Sequence, residues 1–219
     1  MEPTRVGVIG SGAVGRALAA GFAARGHEVT IGTREPEEND DLQAWAAQHD
    51  GVAIGSFAAA TEGGEIVVLA TKGTATEEAI RTAGPQHFAG KVVIDATNPL
   101  DHSGSAPAMT VGHTDSGGEI VQRAIPDARV VKAFNTVNNE LMVDPRLGSP
   151  PARQPMFIAG DDADAKTTVT SVLADFGWDA FDVGGIEQSR QLESLCLLWV
   201  AVGRARGAWD HAFTFVARA

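Results

Sequence analysis

The run GSGAVG sets Gly10, Gly12 and Gly15 in the register of a glycine-rich phosphate-binding turn, with Ser11, Ala13 and Val14 between them. The pattern alone is weak in a chain with 25 glycines, so its surroundings must carry it. Val6–Ile9 reads as a buried strand, Gly12–Arg25 as a helix with Val14, Leu18 and Phe22 on one face, and Glu28–Ile31 as a second strand. In such a βαβ unit Gly10 permits the tight turn and Gly12 lets backbone approach a pyrophosphate at the helix N-terminus. Gly15 then allows close helix–strand packing. The alternative reading is a plain βα turn. At the end of the second strand, where a carboxylate would bind a ribose 2′-hydroxyl, the chain places Thr33 and Arg34. A hydroxyl and a forked guanidinium suit a 2′-phosphate, which points to NADP(H). Glu35 follows one place later, and the bland reading of Arg34 is a surface arginine.

The elements that must position these residues follow from apolar patterning. EIVVLAT (65–71) and KVVIDAT (91–97) are continuous strands, and ARVVKAF is another. DDLQAWAAQH reads as a helix and Val52–Ile54 as a weak strand. The spacings Thr74/Glu77 and Ser116/Glu119 read as capping boxes opening helices. Residues 98–118 form a long polar loop of the kind that is functional or disordered. Pro145, Pro150, Pro151 and Pro155 mark a linker over 144–155. A strand (156–159), a helix (163–176), a strand (178–183) and a long helix (about 186–207) follow. Alternation of this kind predicts an α/β, Rossmann-like doubly wound parallel sheet covered on both faces, with a small C-terminal α/β extension. The expected division is an NADP-binding domain over 1–143 and an extension over 144–219.

Composition bounds the function. The 219 residues are 44% hydrophobic and 21% charged, as in globular domains, and the net charge of -11 disfavours nucleic-acid or membrane-surface binding. One cysteine, Cys196, excludes an intrachain disulfide, and its helical spacing with Leu192, Leu195 and Trp199 marks core or interface. His102 and His113 share the long loop with Asp101 and Asp115, but no helical metal-ligand spacing occurs, so no metal is expected. With no signal-like start and no apolar run of roughly 20 residues, a cytoplasmic protein is expected.

The segments GVIGSGAVG, IGTREP, DATNPL, VVKAFNTV and SRQLESL together resemble the NADPH-dependent coenzyme F420 reductase family. The oxidoreductase domain of the STEAP metalloreductases is a more distant relative sharing KAFNT. The resemblance runs from about Arg5 to Phe215. It implies hydride exchange between NADP(H) and the deazaflavin coenzyme F420, in a homodimer, with the protein chiefly positioning two rings. It also implies that Ala133 lies against the nicotinamide, framed by Asn98 and Pro99, and that Asn135, Thr136 and Val137 meet the acceptor. Archaeal deazaflavin enzymes of the family carry histidine where this chain has Asn135, which keeps open a flavin or another small acceptor. A noncatalytic NADP(H)-binding regulator is the alternative from a different class.

Further candidates sit around this frame. Thr71 and Lys72 end the fourth strand at the ligand-binding edge, where Lys72 is either a phosphate or acceptor contact or a solvated lysine. The long loop and Ser116 are expected to contact the acceptor. The family's C-terminal tail borders the acceptor pocket, which implicates His211 and Phe213. Glu193 matches a family position and also reads as a helix-face acid paired with Arg190 or with neighbouring backbone.

Overall fold

A computed structural model gives the fold and describes residues 2–146, 154–215 and 218. The apolar runs form β1 (Arg5–Ile9), β2 (Glu28–Thr33), β3 (Val52–Ser56), β4 (Ile66–Leu69), β5 (Val92–Asp95) and β8 (Arg129–Lys132). β6 (Leu100–Asp101) and β7 (Ala108–Met109) make a small antiparallel hairpin within the long loop. β9 (Pro155–Gly160) and β10 (Asp179–Asp182) complete the strands. The helices are α1 (Ala13–Ala23), α2 (Asp40–Ala46), α3 (Phe57–Gly63), α4 (Thr76–Ala83), α5 (Gly117–Ala124), α6 (Asn139–Val143), α7 (Ala163–Phe176) and α8 (Ser189–Arg206).

Eight strands form one sheet in the order β10-β9-β8-β5-β4-β1-β2-β3, so the chain reverses direction across the sheet between β1 and β4. That reversal opens a crevice at the strand C-termini, where α/β sheets bind ligands. Separate apolar cores cover the two faces. One joins Leu18 and Phe22 of α1 to Phe134, Leu173 and Phe176; the other joins Phe57 of α3, Ile80 of α4 and Val121 of α5.

The structure departs from the sequence expectation in four places. First, β9 pairs antiparallel with β8, although β10 runs parallel to β9. The chain leaves β8 through a positive-φ turn at Phe134 (φ 64°), and the five-residue α6 packs against α1, with Val143 beside Gly21. Among the described residues, no full-length helix returns the chain across the sheet, as a parallel neighbour would require. Second, the polar stretch at 98–118, read from the sequence as a loop, carries the short β6–β7 hairpin, whereas the C-terminal strands extend the main sheet as the expected small extension does. Of the linker at 144–155, residues 147–153 lie outside the described residues. Third, α3 occupies a stretch with no apolar periodicity to announce it. Ser56 Oγ caps it by accepting from Ala59 N at 3.1 Å, and Gly7 and Gly32 let it approach the sheet: a Cβ at Gly32 would lie 3.1 Å from Phe57 Cα. Fourth, the expected Thr74/Glu77 capping box does not form. Thr74 sits inside a 3-10 turn (Gly73–Ala75), and Ala75 opens α4 without a side-chain cap.

Trp178 ties the C-terminal strands to α6. It is fully buried, and its indole N–H donates to Met142 O at 2.9 Å. Trp178→Phe removes that donor and leaves a small void, and it is expected to cost about 2–4 kcal/mol. Urea unfolding checks this; an unchanged midpoint would refute the role.

Candidate functional site

The glycine-rich turn joins β1 to α1. Gly10 has φ 122° and lies against the end of β4, where a Cβ would come 2.6 Å from Ala70 O. A Cβ on Gly15 would overlap the Gly10 carbonyl oxygen. Nothing lies within 4 Å of a Cβ on Gly12, the N-cap of α1, so that residue faces open space. α1 has no side-chain cap and no acid in its first turn, whereas Asn39, Ser56, Ser116, Asn138 and Asp162 cap α2, α3, α5, α6 and α7. Its first N–H groups are therefore available, and the helix dipole adds positive potential there. This is the donor set a pyrophosphate requires.

A cleft of about 950 Å³ opens in front of this terminus. Gly10, Ser11, Gly12, Ala13 and Val14 line one side, Thr33 and Arg34 another, and Thr71 and Lys72 a third. Gly15 is buried behind the turn. Ser11 Oγ reaches Thr33 Oγ1 at 3.5 Å. Arg34 and Lys72 are exposed, and their side chains have no hydrogen-bond or ion-pair partner among the described residues, so both cations are available to an anion. Sequence reading missed Arg16. Its Nε donates to Ser11 O at 3.0 Å, its Nη2 meets Asp41 Oδ2 at 2.5 Å, and it lies over the Trp45 ring. Arg16 thereby braces the glycine turn from outside while neutralising one carboxylate of an otherwise acidic rim (Glu35, Glu38, Asp40).

Beyond β4 the strand ends are organised by buried charge. Lys132 Nζ, fully buried, contacts Asp95 Oδ2 at 2.7 Å and Glu193 Oε1 at 2.8 Å, and donates to Thr97 O at 2.9 Å. Asp95 Oδ1 accepts from Thr97 N and Oγ1, at 2.9 and 2.7 Å. Glu193 accepts from Gly117 N and Gly118 N, each at 2.9 Å. Burial opposes the charged lysine, but Asp95 and Glu193 outweigh it and hold its pKa above the ordinary value. Of the two sequence readings of Glu193, pairing with backbone describes it, although the backbone belongs to α5. Arg190 instead pairs with Glu119 of α5.

The KAFNT turn follows Lys132. Ala133, Asn135, Thr136 and Val137 are 0%, 3%, 6% and 7% exposed, so they form a closed wall rather than an open surface. Asn135 Nδ2 donates to Asn98 Oδ1 and to Leu192 O, and Asn98 Nδ2 returns a bond to Asn135 O. This reciprocal amide pair locks the turn to the Asn98–Pro99 segment and to α8. Pro99, Thr97, Thr110 and Gly117 line a second, smaller cavity of about 290 Å³ between α4 and α5.

Ser116 does not face that space. It is fully buried, and its Oγ accepts from Glu119 N and donates to Glu119 Oε2, which realises the expected cap. His211 and Phe213, expected at the acceptor pocket, follow α8 and form an edge-on ring pair. The His211 ring stacks on Trp199, and Trp199 Nε1 donates to His211 O at 2.8 Å. No cluster of three or more metal-ligating side chains exists among the described residues, and no described helix is long and apolar enough to cross a membrane.

Residues 5–99 match the family described as NADP oxidoreductase, coenzyme F420-dependent. The F420-dependent NADP reductase of Methanothermobacter marburgensis is 30% identical over 209 residues, covering 87% of this chain and 88% of that protein. The chain belongs to this family. A crystal structure from Arthrobacter sp. FB24, provisionally named an F420-dependent NADP reductase, is similar to this family member with a TM-score of 0.93. It is 38% identical and covers 98% of this chain and 100% of its own. Rat metalloreductase STEAP3 is 28% identical over 197 residues; these cover 90% of the family member described here but only 37% of STEAP3. The chain is thus an α/β protein of an NADP-dependent oxidoreductase family.

Two outcomes test this part of the fold. Lys132→Met strands two carboxylates in the interior and is expected to cost about 3–5 kcal/mol. Chemical denaturation at pH 7 measures it, and a loss below about 1 kcal/mol would contradict the network's role. Cys196 is 5% exposed, with its thiol pKa pushed up to about 12, chiefly by burial. It should resist a disulfide reagent at pH 8 in the folded protein and react promptly after denaturation.

Proposed function

We propose that the chain exchanges a hydride between NADP(H) and coenzyme F420. The observation that carries the reading is one cleft holding an uncapped helix N-terminus together with two cationic side chains, Arg34 and Lys72, that have no partner among the described residues. Full-length similarity to F420-dependent NADP reductases supports the choice of acceptor.

NADPH, when bound, supplies the hydride donor, and the residues of the chain bind and orient it. The N–H groups of the turn at Gly10, Ser11, Gly12, Ala13 and Val14 bind the pyrophosphate. Thr33 and Arg34 take the 2′-phosphate, and Lys72, beside Thr71, neutralises remaining phosphate charge. The turn from Ala133 to Val137, locked to Asn98 and Pro99, forms a dry, rigid wall behind the rings. No side chain is required as general acid or base, because the wall's contribution is orientation and exclusion of water. A homodimer in the cytoplasm is part of the proposal; the exposed Phe181, Leu198 and Trp209 support a second copy as partner.

A second reading, NADPH-dependent reduction of a flavin or another small acceptor, draws on the similarity to STEAP3 and on asparagine at 135. Anaerobic mixing of the protein with NADPH and, separately, oxidised F420, FMN, FAD or a ferric chelate separates the two. Bleaching of the deazaflavin band with turnover supports the proposal. Turnover confined to a flavin or iron would replace it, and tight binding without turnover on any acceptor would favour a regulator. Arg34→Ala should weaken NADPH by about 10–100-fold, the worth of a charge-assisted contact, with NADH nearly unaffected. Equal losses would remove the 2′-phosphate role.

A further inference from the structure

The buried network at the strand ends carries an excess negative charge. Every contact to the Asp95 and Glu193 oxygens comes from a donor: Lys132 Nζ, Thr97 N, Thr97 Oγ1, Gly117 N and Gly118 N. Two acidic side chains thus face one lysine, a formal excess of one negative charge, all three side chains being fully buried. The neighbouring pairs Arg190–Glu119 and Arg123–Asp115 are each neutral. The α5 N-terminus contributes a fractional positive charge through Gly117 and Gly118, which leaves part of the excess uncompensated. An uncompensated buried charge is costly, so its retention calls for a positive group nearby.

The topology indicates where that group would sit. Asp95 is the last residue of β5 and Lys132 the last of β8, both at the ligand edge. The ribose phosphate belongs at β2 and the pyrophosphate at α1, so the other nucleotide extends past β4 toward β5 and β8, which neighbour it in that order. Hydride loss leaves the nicotinamide ring with one positive charge; the hydride takes its two electrons to the acceptor ring, which gains a further proton from solvent. We infer that the Asp95–Lys132–Glu193 network is an electrostatic positioning element that favours the oxidised, positively charged cofactor over the reduced one. The inference rests on the proposed cofactor site. The phosphates are common to both redox forms, so Arg34 and Lys72 do not produce this preference.

The test is the ratio of dissociation constants for NADP+ and NADPH, measured by calorimetry without any acceptor. In the wild-type protein the bound couple should lie at a more negative potential than the free couple, with NADP+ bound more tightly than NADPH. Glu193→Gln and Asp95→Asn each remove one negative charge from a different element while leaving Lys132 one carboxylate partner. One charge at roughly 10 Å and an effective dielectric of about 20 corresponds to a change on the order of tenfold. Each variant should therefore weaken NADP+ relative to NADPH by that factor, equivalent to about 30 mV for a two-electron couple. A ratio unchanged within about twofold in the folded variants would overturn the inference, because a purely structural role would weaken both forms alike. The wild-type measurement keeps the inference testable if a variant does not fold: NADPH bound tenfold more tightly than NADP+ would also overturn it. Binding of neither nucleotide by the wild type would instead reject the cofactor site.

Discussion

The ammonium of Lys132 is the interaction on which the rest of the site depends. An isolated lysine in a protein interior loses its charge or unfolds its surroundings. This one is retained because Asp95 and Glu193 form ion pairs with it and the Thr97 carbonyl accepts its hydrogen bond. Each partner belongs to a different element: Asp95 to β5, Thr97 to the segment after it, and Glu193 to α8. Glu193 in turn occupies the first N–H groups of α5. One buried charge thus fixes two strand ends, the start of one helix and the second turn of another. A change in any of them leaves a neighbour unsatisfied, and that interdependence makes the wall beside the cleft rigid.

The cleft itself obeys the opposite rule. α1 is left without a cap, Gly12 faces open space, and Arg34 and Lys72 have no partner among the described residues. These unmet groups cost little while water solvates them. The contrast between a densely cross-linked interior and an open rim separates the part of the fold that positions from the part that binds. Arg16 stands between the two, holding the glycine turn through Ser11 and anchoring α2 through Asp41.

Much of this was legible in the sequence because local chemistry fixes it. The glycine turn, the apolar strands, the 163–176 helix and the Ser116 cap all depend on neighbours within a few residues. The relation between DATNPL, VVKAFNTV and SRQLESL was visible only as a resemblance. Its physical content, Asp95 and Glu193 meeting on Lys132, joins positions far apart in the chain, and no periodicity reports it. The antiparallel entry of β9 was hidden for a similar reason, since it depends on where α6 packs and not on the strand's composition. α3 escaped because its alanines carry little apolar pattern; the glycines that admit it, Gly7 and Gly32, lie on other elements. Only tertiary structure shows that Ser116 caps α5, that the His211 ring stacks on Trp199 and that Phe213 meets His211 edge-on.

The most direct test of the account is a crystal structure of the NADP+ complex. The account predicts the pyrophosphate at the α1 N-terminus, the 2′-phosphate within hydrogen-bonding distance of Thr33 and Arg34, and the nicotinamide over the ends of β5 and β8 beside Ala133. A nicotinamide lying away from the Asp95–Lys132–Glu193 network, or a 2′-phosphate that leaves Arg34 without a partner, would contradict it.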